Sequence, residues 1–245
     1  MSDQSTQEAA VRTALVTGAT RGIGRAVAQD LAKDHVVFIG GRSAEDVERV
    51  RAELAGVGPG TRPFVADVSS DEQVAAAWAP LREEFPELNV LVHSAGIAPQ
   101  SPVADAPREM WEKIFDVNVI SVAQLTRLVL PQLRAAGGDV VAVNSGSGFT
   151  ANPSGALYSG SKFALRALTD ALREEERGNG VRVTSVHPGR VATDMQRELH
   201  DYMGREYRAE EWIRPEQIAA AVRLAVDATR DAEVEVVTVR PSGMV

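Results

Sequence analysis

The stretch Tyr158-Ser159-Gly160-Ser161-Lys162 sets a phenol and an ammonium four residues apart, with only small side chains between them. The chain has three tyrosines and three lysines, so one of each at this spacing calls for a reason. On a helix, residues i and i+4 share a face. A free phenol titrates near pH 10 and exchanges protons poorly at neutral pH. A cation about 5 Å away stabilises the phenolate by roughly 0.8 kcal/mol in water, but by about 3.3 kcal/mol at an effective dielectric of 20. The pair therefore works as an acid–base group only where water is partly excluded, as a bound cofactor or substrate would do. Ser145 precedes Tyr158 by 13 residues and offers a hydroxyl to a substrate carbonyl. Asn118 sits in the apolar run Phe115-Asp116-Val117-Asn118-Val119-Ile120, where a carboxamide needs partners. Satisfaction by backbone and a functional role account for it equally well.

A second signal is Thr17-Gly18-Ala19-Thr20-Arg21-Gly22-Ile23-Gly24. It falls between an apolar run ending at Gly18 and a segment with helical spacing through Ile23, Val27 and Leu31. In a strand–turn–helix unit, Gly18 permits a tight turn, Gly22 lets backbone approach a pyrophosphate, and Gly24 lets the helix pack closely on the sheet. The helix start presents unpaired N–H groups to phosphates. Thr20, Arg21 and Ile23 complete the expected cofactor contacts of this turn. An NAD site places an acid about 20 residues on, at the ribose 2′-hydroxyl. The second strand ends instead in Gly40-Gly41-Arg42-Ser43. Arg42, with Arg21, offers guanidinium groups to a 2′-phosphate, so the expected cofactor is NADP(H).

These groups need a scaffold. Strands are expected at 12–18, 35–41, 62–68, 88–96 (running into a turn), 139–145, 181–189 and 234–239, and helices at 22–34, 44–56, 71–84, 107–135, 157–178 and 215–229. Alternating strands and helices imply a three-layer, doubly wound parallel sheet of Rossmann type, about seven strands with helices on both faces. Residues 1–10 read as a polar, acidic tail without the features of a secretory leader, and 11–245 as one domain.

Hydrophobic residues make up 44% and charged residues 24%, ordinary for a globular protein. No apolar run is expected to span a membrane. The net charge of −8 disfavours general affinity for nucleic acid or anionic lipid. With no cysteine, disulfides, thiolate metal sites and cysteine nucleophiles are excluded, and no metal site is expected; a cytoplasmic location fits.

The glycine turn, Asn118, Ser145 and the Tyr158–Lys162 stretch together resemble the short-chain dehydrogenase/reductase family, in its compact single-domain branch, over residues 12 to 240. The resemblance implies hydride transfer between nicotinamide and a carbonyl carbon. It implies that Tyr158 is acid or base, that Lys162 holds the nicotinamide ribose and lowers the phenol pKa, that Ser145 polarises the carbonyl, and that Asn118 positions a water relaying protons to Lys162. Asp67 and Val68 match the adenine contact, Ser94, Ala95 and Gly96 the turn after the fourth strand, and Pro188, Gly189, Val191 and Thr193 the segment seating the nicotinamide. His93 departs from the family's Asn at its position and is expected to be a structural replacement. The ending Val239-Arg240-Pro241 is similar to that of NADP-dependent reductases.

Residues 194–214 occupy the place of the family's substrate lid, where Tyr202, Met203, Tyr207 and Trp212 would wall a pocket and Arg190, Arg197, Arg205 and Arg208 would meet a carboxylate. Ser147 and Phe149 are expected near its mouth. The expected activity is reduction of a small-molecule carbonyl or oxidation of the alcohol. A 3-oxoacyl-carrier reductase and a catalytically silent NADP-binding sensor are the alternatives. Apolar surface on helices 107–135 and 157–178, together with the resemblance, predicts a homo-oligomer, expected as a tetramer.

Overall fold

The computed structural model describes residues 11–242; the predicted tail at 1–10 lies outside the described residues. Seven strands form one sheet in the order β3-β2-β1-β4-β5-β6-β7, every neighbouring pair parallel. They are β1 (Arg12–Val16), β2 (His35–Gly41), β3 (Thr61–Val65), β4 (Val90–His93), β5 (Asp139–Val143), β6 (Arg182–Pro188) and β7 (Val236–Val239). The helices are α1 (Gly22–Leu31), α2 (Ala44–Glu53), α3 (Asp71–Glu84), α4 (Arg108–Phe115), α5 (Ser121–Ala136), α6 (Ala156–Glu176), α7 (Asp194–Met203) and α8 (Pro215–Val226).

Parallel strands covered on both faces must be apolar on both, and β1, β2, β4 and β5 are. Alternate residues serve opposite layers. Ala14, Val16, Val37 and Ile39 pack with Val27 and Leu31 of α1 and Ile218 and Val222 of α8. Leu15, Phe38 and Leu91 pack with Trp78 of α3 and Leu125, Val129 and Leu133 of α5. The chain leaves β1 towards β3 and then returns to place β4 on the other side. That reversal opens a crevice beyond the carboxyl ends of β1 and β4.

The strand expected at 62–68 is shorter, Thr61–Val65, and lies at the sheet edge; Pro63, lacking an N–H, suits that place. The expected continuous helix at 107–135 is interrupted by one wide turn of π-helix over Asp116–Ile120. Contrary to the expectation of no membrane-length apolar run, Arg108–Ala136 is long and apolar enough to cross a membrane by length and composition. Its buried stripe of Leu125, Val129 and Leu133 packs on the sheet.

Candidate active site

The crevice is a groove of about 260 Å³. Its walls include Gly18, Thr20, Arg21, Gly22, Ile23 and Gly24 from the first turn, and Arg42 after β2. Asp67 and Val68 after β3, Ser94, Ala95 and Gly96 after β4, Tyr158 and Lys162 from α6, and Thr193 also line it. Residues far apart in sequence thus meet on one surface. Asn118, Ser145, Pro188, Gly189 and Val191 do not line it. Gly189 donates its N–H to the Val239 carbonyl at 2.7 Å, and Val191 is buried and bridges to Ile213.

The groove is narrow because glycines bring backbone together. Gly18 has φ +63°, and a Cβ there would stand 2.9 Å from the Ala95 backbone. At Gly24 a Cβ would collide with the Gly18 carbonyl, so this glycine serves closeness within the turn rather than helix-on-sheet packing alone. Thr17, not foreseen as a site residue, fixes the opposite wall. Its Oγ1 accepts from the N–H groups of Ser94 at 3.1 Å and Ala95 at 3.2 Å. The first turn of α1 carries no acidic side chain, and no side chain caps its start, which leaves N–H groups facing the groove for an anion. A pyrophosphate fits this cradle.

Arg42 is exposed at the β2 end of the groove. Arg21 lies 3.8 Å from Asp194 with 66% of its side chain exposed. Asp67 is held below the usual carboxylate range, mainly by the Ser69 hydroxyl at 2.7 Å and backbone N–H at 3.0 Å, with Arg42 and Lys113 adding to the effect. Lys113, Val117, Asn144 and Met195 also line the groove. Sequence reading missed them because each sits on an element assigned to scaffold or lid, without a motif of its own.

Tyr158 and Lys162 do face one another: Lys162 Nζ lies 5.6 Å from the centre of the phenol ring. Lys162 is 5% exposed and donates to the Val143 carbonyl at 3.0 Å. Burial lowers its pKa to about 8. Burial also raises the Tyr158 pKa, and the neighbouring Ser145 hydroxyl opposes that rise. The sequence expectation of a lowered phenol pKa is therefore reversed in the protein alone. Desolvation penalises both charged forms, so burial lowers the lysine pKa while it raises that of the phenol.

Ser145 caps the short turn Gly146–Gly148, its Oγ accepting from the Ser147 N–H at 3.1 Å. That contact leaves the serine O–H as a donor. Asn118 stands in the π turn. Its Oδ1 accepts from the Ile97 N–H at 2.9 Å, and its Nδ2 donates to the Ile97 carbonyl at 2.9 Å and to Ser161 Oγ at 3.0 Å. Ser161 in turn donates to the Tyr158 carbonyl at 2.8 Å. The carboxamide thus clamps the loop after β4 to the start of α6, and its Oδ1 keeps a second lone pair. His93 is buried and bonded to Thr126 at 2.9 Å, and burial lowers its pKa to about 3. It is a neutral strut.

In the 194–214 segment, Arg190 stacks on Trp212, Arg197 on Tyr207, and Arg208 pairs with Glu206. Trp212 and Tyr207 pack around the buried His200. These side chains brace the segment itself, and of the segment's residues it is Asp194 and Met195 that line the groove. Phe149 stacks on His187 with ring centres 4.3 Å apart.

Residues 12–203 match the family model described as short chain dehydrogenase. An uncharacterised oxidoreductase of Staphylococcus saprophyticus is 33% identical, the match covering 94% of this chain and 97% of that one. The chicken (Gallus gallus) dehydrogenase/reductase SDR family member 11 is 31% identical over 94% of this chain and 96% of its own. Among solved structures, an alcohol dehydrogenase from Thermococcus sibiricus complexed with 5-hydroxy-NADP superposes with a TM-score of 0.85. It is 28% identical and covers 94% of this chain and 97% of that chain.

Proposed function

Because the chain belongs to the short-chain dehydrogenase family, we propose that it is an NADP(H)-dependent oxidoreductase acting on a small-molecule carbonyl or alcohol. The observation that carries this reading is that Tyr158 and Lys162 share one groove with the glycine turn and Arg42. The NADP-bound relative of known structure supports the choice of cofactor. The backbone of the Gly18–Gly24 turn would hold the pyrophosphate, Arg21 and Arg42 the 2′-phosphate, Asp67 and Val68 the adenine, and Lys162 the ribose. Bound there, the cofactor supplies or takes the hydride.

The protein's own groups handle the proton and the carbonyl. The Ser145 O–H donates to the carbonyl oxygen and polarises it. Tyr158, kept protonated by burial, gives its proton to that oxygen in reduction and takes one back in oxidation. Lys162 has two N–H groups beyond the one given to Val143, and its charge opposes the cost of forming a buried phenolate. The exposed Ile120 and Phe163 form part of the surface for the proposed self-association.

The test is a panel of free ketones and aldehydes followed by NADPH absorbance, with NADH and a 3-oxoacyl carrier thioester as separate arms. Turnover of free carbonyls with NADPH supports the reading. Turnover of the thioester alone favours the carrier-linked reductase, and cofactor binding without any turnover favours a sensor.

A further inference from the structure

His187 is wholly buried at the end of β6, and its ring is tied at both nitrogens. Nδ1 lies 2.9 Å from the Ser145 carbonyl oxygen, and Nε2 lies 2.8 Å from Ser185 Oγ. A carbonyl only accepts, so Nδ1 carries the proton. Nε2 of the neutral ring then accepts from the Ser185 hydroxyl. The Ser145 carbonyl receives a second bond, from the Gly148 N–H at 3.0 Å, so both of its lone pairs are filled.

The ring is fixed from other sides as well. Phe149 stacks on it, and the Arg166 guanidinium lies 4.6 Å from the centre of that phenyl ring. Arg240 Nη1 donates to the His187 carbonyl at 2.6 Å. The same guanidinium presses on Gly146, where a Cβ would stand 3.2 Å from Nη2. Gly148, at the far end of the turn, is equally confined, since a Cβ there would stand 2.9 Å from Asn144 Oδ1. The turn bearing Ser145 therefore has no slack towards β6 or towards α6.

We propose that His187 is a positioning residue for the reaction: its Nδ1–H···O=C bond to Ser145 sets where the Ser145 hydroxyl stands relative to Tyr158. This rests on the reading of Ser145 as the group that polarises the carbonyl. An apolar side chain of similar shape fills the same space but leaves the Ser145 carbonyl with one donor fewer. A displacement of about 1 Å at a reacting group is enough for a loss of roughly 100-fold.

The experiment compares His187→Phe, which keeps a stacking ring without a donor, with His187→Asn, whose amide N–H can stand where Nδ1–H stood. The Phe variant is expected to lose 10- to 100-fold in kcat, with the NADPH dissociation constant unchanged, and the Asn variant to recover most of that loss. If His187 acts through Ser145, adding His187→Phe to Ser145→Ala produces no further loss. Multiplied losses in the double variant, or a Phe variant that melts lower yet turns over normally, overturn the proposal. Should the Phe variant not fold, Ser185→Ala, which releases Nε2, is expected to show a smaller fall in kcat of the same non-additive kind; additivity there also overturns it. Long-range proton–nitrogen NMR of the wild-type protein gives a readout independent of turnover. Nδ1-protonated His187 is required, and the Nε2-protonated form sinks the proposal even if the enzyme is a carbonyl reductase. Nδ1 protonation together with no turnover of any carbonyl would instead locate the failure in the functional reading, and would leave the proposal without a reaction to serve.

Discussion

The two ends of the groove hold their charges in opposite ways. At the end beside β2, Arg21 and Arg42 stand in solvent. At the end beside α6, Lys162 is almost fully enclosed and Tyr158 is raised in pKa by burial. An exposed cation is cheap to keep and acts only when an anion arrives. A buried one costs stability throughout and repays it in chemistry. On the proposed function, the same residue class serves recognition at one end and proton management at the other, and exposure decides which.

The sharpest way to break this contrast is Tyr158→Phe, which removes the proton donor and leaves the groove's shape. A fall in kcat of about 10²- to 10⁴-fold is expected, with NADPH affinity kept; retained kcat means that another group moves the proton. Next comes the buried, neutral His93. Its folded pKa lies below its unfolded value, so the unfolded chain binds more protons between pH 6.5 and about 3. Stability should thus fall on acidification through that window, by on the order of 5 kcal/mol. Urea titrations from pH 7 to pH 4 should show a flatter dependence for His93→Asn.

Lys162→Met separates activity from stability. The lysine pKa falls from 10.5 to about 8, which corresponds to a burial cost on the order of 3 kcal/mol, offset by about 1 kcal/mol for the bond to Val143. The variant is expected to be inactive yet to melt several degrees higher at pH 7. Native lysine sheds its proton before the unfolded chain does, so wild-type stability rises between pH 8 and 10.5 and the variant's advantage should shrink there. The smallest effect belongs to the exposed end. Arg42→Ala should weaken NADPH binding roughly tenfold, less at high salt, and leave NADH binding unchanged. Equal losses for both cofactors would remove Arg42 from the 2′-phosphate.

The same difference in exposure governs what could be read from residues alone. The strands and the glycine turn follow from continuous apolar runs and from glycines placed where backbone must come close. Tyr158 and Lys162 were legible as a pair because helical spacing fixes their common face. The sign of the Tyr158 shift was not, because it depends on how completely the groove walls exclude water. Nor was the wide turn at Asp116–Ile120: Ile114, Asn118, Val122 and Leu125 have the spacing of an unbroken helix. Thr17 and Ser161 escaped notice because their partners, Ser94, Ala95 and Asn118, are far away in sequence. Arg190, Arg197 and Arg208 suggested an anion site by type, but Trp212, Tyr207 and Glu206 lie against them.

That wide turn also marks where the polypeptide has length to spare. A single π turn is an α-helix carrying one surplus residue. Excising one residue within Asp116–Ile120 would restore regular coiling and leave Ile114 and Leu125 directed as they are now, whereas the same excision one turn later would rotate Leu125, Val129 and Leu133 by about 100° away from the sheet. The fold has no use for the extra residue; the clamp between Asn118 and Ile97 does. A chain shortened there would be a well-packed protein with its reacting groups out of alignment.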